Sequence, residues 1–471
     1  MGKLSLPSGP VRPAGNKWKE SLPPAIGSLV LLVAVLGYIV LWGPIVWGKQ
    51  VWPQAGDLWE SLAAAHQVAW GSYGTVYSGP QMLEMFPGLV SFPAFYVVLA
   101  PVAWMVSHLR LSESIPIGLA RPTAYPLVMG WSVLWSSSVI FAADSLARRL
   151  CLSMAKRVAV MAWAAVFVFD VTVLWGHPED VVAVAFCLVA LGALDDGRLA
   201  KSAWTMGLAV AFQPMALLAF AIVGGVWWRR RRWGALGLVA RSGLLPSFLV
   251  AIPLVQDFRS TYRSIFVQPT FPQVGWRTPW MGILHQYVSS AHSPIAMSFA
   301  CNHVSQLACR AFGNDVTGQL LIHPHQVNAG SVRLGALAAS ALLGTYVALR
   351  SKDPWLVELI WLTGVAFGIR CLFEAVMFPY YVAPACLLLA IAAVSMESRI
   401  RVASTWVASA GLVEYAWRHG PPWRWFTLLG ALLAASTILS RPTGRGSDSA
   451  MVEVSTGAQS RVGEESASAT V

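Results

Sequence analysis

The chain is 471 residues long, 56% hydrophobic and 12% charged, with a mean hydropathy of +0.58; soluble domains carry about 25% charged residues. An ordinary soluble domain is therefore excluded. The net charge of +11 would suggest nucleic acid in a soluble protein, but Arg and Lys gather in short clusters at the ends of apolar runs; the positive-inside rule accounts for that, and no nucleic-acid partner is expected.

Apolar runs of about 17 to 25 residues, each able to cross roughly 30 Å of hydrocarbon as a helix, recur along the chain. They predict an all-α fold, a polytopic transmembrane bundle of about ten to twelve helices, with external loops carrying short helices. Residues 1–24 hold Lys3, Arg12, Lys17 and Lys19 and read as a cytoplasmic segment before an uncleaved first helix at 25–47. An external loop at 48–85 follows, then runs at 86–108, 125–147, 158–175, 181–194, 204–228 and 244–255, completing a transmembrane module over 25–255. Residues 256–333 form a long external loop rich in Pro, His, Gln and Trp. Runs at 334–349, 355–373, 380–396, 402–417 and 426–439 make a C-terminal set of helices over 334–440, and 441–471 reads as a disordered cytoplasmic tail.

If every run crosses fully, Arg148, Arg149, Lys156 and Arg157 fall on the outside, against the positive-inside rule. Half-spanning segments at 86–104, which has three prolines, and at "WTMGLAVAFQPMALLAF" return those bases to the inside. The basic cluster "RRRRW" at 229–233 is either a topological anchor or a contact to anionic lipid headgroups. Cys151, Cys187, Cys371 and Cys386 read as packing residues. Cys301 and Cys309 share the long loop and can pair only in an oxidising compartment.

Chemistry concentrates in a few places. Asp57 and Glu60 share a helix face in "GDLWESLAAAHQVAW"; a carboxylate there can act as a general base or steady a divalent cation, or Asp57 simply caps the helix. His177, Glu179 and Asp180 in "LWGHPEDVVA" put three titratable groups at a membrane boundary, or else mark an exposed turn with Pro178 opening a helix. Arg370 and Glu374 in "FGIRCLFEAVMFPYY" have the spacing of a helix ion pair; the sharper reading is a guanidinium fork for phosphate, oriented by Glu374. Asp144 and Asp170, inside apolar runs, suit either helix packing or a proton path. The long loop carries Trp276, Arg277, Trp280 and five histidines, His285, His292, His303, His323 and His325, a composition that suits a sugar or headgroup site as well as a metal. No phosphate loop, dinucleotide fingerprint, HExxH or GxSxG motif is present.

The order "GDLWESLAAAHQVAWGSYGTVYS", "FPGLVSFPAFYVVLAPVAW", "AKSAWTMGLAVAFQPMALLAFAIV", a long loop and "FPYYVAPACLLL" resembles the GT-C-type integral membrane glycosyltransferases, in particular the polyprenol-phosphate-mannose-dependent mannosyltransferases of actinobacteria. The resemblance covers roughly residues 20–400. It implies a sugar moved from a polyprenyl-phosphate donor to a lipid- or wall-linked glycan acceptor on the outer face of the cell membrane, with Asp57 as base and Glu60 beside it. Gln213, where the family often has Lys, and Tyr380 fall in the matching segments and join His177, Glu179, Asp180, Arg370 and Glu374 as candidate substrate-binding residues. The family often has an aromatic residue where Glu60 stands, and "GHPED" lies outside its pattern. The rival reading is a transporter or lipid flippase relaying protons through Asp144, Asp170 and Glu374, although no internal repeat of the transporter kind is visible.

Overall fold

The computed structural model describes residues 17–39, 56–77, 92–109, 125–270, 278–280, 287–289, 295–298, 319–322, 326–418 and 421–442. The loop histidines, Trp276, Arg277, Cys301, Cys309 and the C-terminal tail lie outside them.

Helices make up almost all of the described chain. In order they are α1 (Lys17–Gly37), α2 (Gly56–Ala69), α3 (Ala94–His108), α4 (Tyr125–Ser136), α5 (Ser138–Arg149), α6 (Met154–Val168), α7 (Pro178–Asp195), α8 (Leu199–Phe212), α9 (Ala216–Arg230), α10 (Ala235–Gln256), α11 (Phe258–Tyr262), α12 (Ala329–Leu349), α13 (Leu356–Leu372), α14 (Ala383–Val394), α15 (Arg399–Ala416) and α16 (Pro422–Leu439). The expected runs therefore recur as helices, with adjustments; the run expected at 244–255 starts at Ala235. α1 starts eight residues before position 25, carrying Pro23 and Pro24 inside it. The run at 125–147 is jointed between α4 and α5 at Ser137, where Ser132 and Ser137 bond back to the carbonyls of Val128 and Val133, both at 2.8 Å; such back-bonding opens and bends a helix. The expected loop at 256–333 contains short strands besides helical turns, including the antiparallel pair Ile295–Ser298 with Gln319–Ile322.

Among the described residues four stretches are long and apolar enough to cross a membrane: Pro126–Arg149, Met154–Leu174, Arg232–Gln256 and Ala329–Leu349. Ser21–Gly37, Ala94–His108, Leu199–Phe212 and Pro379–Val394 are shorter apolar helices. α8, with 14 residues, rises about 21 Å, short of the roughly 30 Å hydrocarbon core. The segment 204–220 is accordingly two helices that meet at Gln213, not one continuous crossing.

Folding back at Gln213 sorts the charges. Arg149 at the end of α5 bonds Asp196 at the end of α7, and Arg230 at the end of α9 donates to Leu194 O at 2.6 Å. Arg229 bonds Asp353 between α12 and α13; Arg401, opening α15, donates to Leu439 O at 3.0 Å at the end of α16. Lys156, opening α6, reaches Met396 O at 3.3 Å beyond α14. Cations thus satisfy carbonyls that helix C-termini leave orphaned. Arg148, Arg149, Lys156 and Arg157 share this basic end with the 229–232 cluster, as the scheme with half-spanning segments requires. At Asp196 burial favours the neutral acid, but hydrogen bonds and charge from Arg149 and Arg198 win and hold its carboxyl below the ordinary range. Asp144 is paired here too, with Arg157 at 2.8 Å and Arg148 at 3.2 Å, which makes it a packing acid.

Cys187, Cys371 and Cys386 are buried, as packing residues should be. Cys151 is not: it is exposed, with φ 53° in the turn after α5, because the chain reverses there before α6.

α9 and α12 approach closely through glycine. A Cβ on Gly344 would overlap Ala221 O, and one on Gly225 would overlap Gly344 O; small residues let membrane helices meet backbone to backbone. Gly344→Val is expected to lower the thermal midpoint of the detergent-solubilised protein through an overpacking cost of about 1–3 kcal/mol. An unchanged midpoint would contradict this close contact.

Candidate functional site

The opposite end of the bundle holds the candidate site. After α6 the chain makes a π-helical turn, Phe169–Leu174, and enters α7 through His177. Pro178 takes the first helical position, where its missing N–H is no loss, and Glu179 and Asp180 occupy the first turn near the positive end of the helix dipole. An exposed turn was one reading of this segment. It fails, because Glu179 and Asp180 are each only 1% exposed: neighbouring helices close over them.

Those neighbours are the other candidate residues. Gln213 has extended backbone, as befits a residue preceding Pro214, and ends α8. Its Nε2 donates to Asp180 Oδ1. Arg370, in the last turn of α13, places Nη1 3.7 Å from Asp180 Oδ2 and donates from Nε to Glu374 Oε1 at 2.9 Å. Its Nη1 also points to Met215 Sδ at 3.0 Å, and its guanidinium lies 4.0 Å over the Tyr381 ring. His177 Nδ1 and Glu179 Oε1 are 2.9 Å apart, and the imidazole stacks on Tyr380 at 4.4 Å. Tyr380 packs against Trp175 at 5.4 Å, which in turn meets Trp417 at 5.0 Å. His177, Glu179, Asp180, Gln213, Arg370, Glu374 and Tyr380, drawn from four separate parts of the chain, are thus one connected cluster.

Asp57 and Glu60 lie in the first turns of α2, and their side chains fall outside the described residues. α2 buries Leu58, Leu62 and Ala65, spaced as one helical face, and packs on α3. Beyond it, Tyr73 donates its hydroxyl to Leu249 O at 2.7 Å, near the end of α10. The first loop is therefore pinned to the same end of the bundle as the cluster.

The sequence reading missed Arg333, Gln268 and Tyr381. Arg333 Nε donates to both oxygens of Glu374, at 2.8 and 3.0 Å; its Nη1 reaches Gln268 Oε1 and its Nη2 the Tyr381 hydroxyl at 3.3 Å. A lone arginine in "AGSVRLGALAAS" was the available signal for Arg333. Gln268 carried none: it matters because it sits at φ 48°, a left-handed conformation costly for a non-glycine residue, held by Arg333 and by its own bond to Ile265 O at 2.8 Å. The long segment after α11 also clasps this end, with Thr278 Oγ1 donating to Glu374 O and Trp280 Nε1 to Leu372 O, both at 2.6 Å.

Within the cluster Asp180, Arg370, Glu374 and Arg333 form a chain of alternating sign, while Glu179 is paired with His177. In that chain two carboxylates and two guanidiniums cancel, which is what burial demands of charges. The i,i+4 pair of Arg370 and Glu374 is therefore one link of a structural network, and a phosphate competes with Glu374 for both guanidiniums. The His177, Glu179 and Asp180 side, with its wall of Tyr380, Trp175 and Trp417, is suited to hydroxyl-rich ligands: carboxylates accept hydroxyl protons and aromatic rings cover apolar ring faces. Among the described residues no group of three His, Cys, Asp or Glu is arranged to hold a metal ion. Asp170 lies apart from the cluster, inside the bundle at 7% exposure.

No family model matches this chain, and no curated protein matches it.

Proposed function

We propose that the protein is a membrane glycosyltransferase that moves a sugar from a polyprenyl-phosphate donor to a lipid- or wall-linked glycan acceptor at the outer face of the cell membrane. The reading places the basic end in the cytoplasm, by the positive-inside rule, and takes the bundle as about ten to twelve crossings or half-crossings. The observation that carries it is the buried cluster of acids, aromatic rings and guanidiniums at the end opposite the basic one, the end to which Tyr73, after the helix that bears Asp57, is also tied.

In this reading the acceptor hydroxyl oxygen attacks the anomeric carbon and Asp57 takes its proton. The anomeric C–O bond to phosphate breaks on the opposite face, polyprenyl phosphate leaves with the electron pair, and the configuration inverts. His177, Glu179, Asp180, Gln213 and Tyr380 hold sugar hydroxyls and ring faces. Arg370 and Arg333 receive the leaving phosphate as Glu374 yields one of them. An apolar slot between α4, α5 and α7, lined by Trp131, Leu134, Trp135, Phe141, Phe186 and Val189, supports a lipid-tailed substrate. Phe186 stands six residues, about 9 Å of helix, from Asp180, so the slot lies along the same helix that opens at the cluster.

The transporter reading loses support from the ion pairs. Of its three relay acids, Asp144 is held by Arg148 and Arg157 and Glu374 by Arg333 and Arg370, which leaves Asp170. The test incubates purified protein in lipid with radiolabelled polyprenyl-phosphate mannose and a membrane-lipid acceptor pool. Label in the acceptor above an Asp57→Asn control supports the transferase; none above it, across several donor sugars, overturns it.

A further inference from the structure

The four arginines at 229–232 do not do one job. Arg229 bonds Asp353 and donates to Ser351 O at 2.7 Å; Arg230 donates to Leu194 O at 2.6 Å and lies 3.4 Å from Asp353. These two staple the basic ends of α7, α9 and α13 together, and Asp353 is spent on them. Arg231 and Arg232 are exposed, and their side chains make no hydrogen bond or ion pair among the described residues. Lys352, next to Asp353, is exposed as well.

Directly after them Trp233, in the tight turn Arg232–Gly234, is 99% exposed. It heads an apolar stripe down α10: Leu236 is 74% exposed, Leu244 60%, Phe248 63% and Val255 84%. Only 22% of the apolar window in that helix is buried. Two uncompensated guanidiniums, an interfacial indole and a long unpartnered apolar stripe stand in the order of a phospholipid's own parts: phosphate, glycerol level, acyl chains. A topological anchor needs the charges alone; it does not require that half the cluster be left unpaired above such a stripe.

We propose that Arg231, Arg232 and Trp233 bind the phosphate headgroup of an anionic phospholipid in the leaflet at the basic end, with its acyl chains along α10. This inference rests on the membrane reading and is independent of the glycosyltransferase reading. The test reconstitutes wild type, Arg231→Gln/Arg232→Gln and Trp233→Ala in vesicles of equal phosphatidylglycerol and phosphatidylcholine, extracts them in mild detergent and measures co-purifying lipid by mass spectrometry. Protease access to the C-terminal tail reports orientation in the same vesicles.

Wild type is expected to retain phosphatidylglycerol preferentially, and the double variant to lose that preference on the order of tenfold, with Trp233→Ala intermediate and orientation unchanged. Equal lipid ratios in wild type and the double variant overturn the site, and a changed orientation with an unchanged ratio leaves the arginines as anchors only. Failure of wild type to enter the vesicles at all overturns the membrane reading together with the site.

Discussion

Arg370→Met is expected to cost about 3–5 kcal/mol of stability, because it strands Asp180 and part of Glu374 as buried carboxylates without their shared cation. Glu374 is 0% and Asp180 1% exposed, so water does not take over the lost bonds. Arg370→Lys retains the charge but not the fork: one ammonium cannot reach Asp180, Glu374 and the face of Tyr381 together, and an intermediate loss is expected. Thermal unfolding in detergent, followed by tryptophan fluorescence, measures both. A midpoint unaffected by Arg370→Met would mean that the network does not hold this end of the bundle, and the cluster would lose its claim to be preorganised. The same experiment bears on phosphate: adding polyprenyl phosphate should raise the wild-type midpoint by mass action and the Arg370→Met midpoint less.

Under the proposed transferase mechanism, Asp57→Asn is expected to reduce transfer by about 10²–10⁴-fold, the usual contribution of a general base, while abundance and melting temperature remain at wild-type values. Asparagine makes this a sharp discriminator, since it keeps the size and polarity of aspartate in the first turn of α2 and removes the basic carboxylate. A residue that only starts α2 would tolerate the change without loss of activity. Glu60→Gln adds a second comparison. Should Glu60 raise the pKa of Asp57 by like-charge repulsion, its removal will shift the pH profile of transfer to lower pH; unchanged profiles would assign Glu60 to the helix surface.

Much of the helical architecture was legible because the membrane leaves the chain few choices: backbone groups in hydrocarbon must bond within their own segment, so long apolar runs become helices wherever they occur. Boundaries were less legible where local chemistry intervenes. Serines that bond back to the helix opened the joint at Ser137, and Gln213 with Pro214 split a run that hydropathy alone would have passed as one crossing. Candidate residues were visible for a related reason, since a charge within an apolar run is costly and calls for an explanation. That signal singled out Asp180, Arg370 and Glu374, but not Gln268, whose importance lies in its backbone conformation and its bond to Arg333.

By itself, then, the sequence determined which segments are helical, which end of each carries the bases and which polar residues are out of place, all consequences of local composition and the period of the helix. Only the tertiary structure decided that His177, Gln213, Arg333 and Arg370 share one network, that the turn at Glu179 and Asp180 is buried, and that Arg229 and Arg230 are occupied while Arg231 and Arg232 make no such bond among the described residues. The reason is physical: burial and charge pairing depend on which helix faces meet, and residues 177 and 370 are joined by packing between helices nearly two hundred positions apart, which no local pattern encodes.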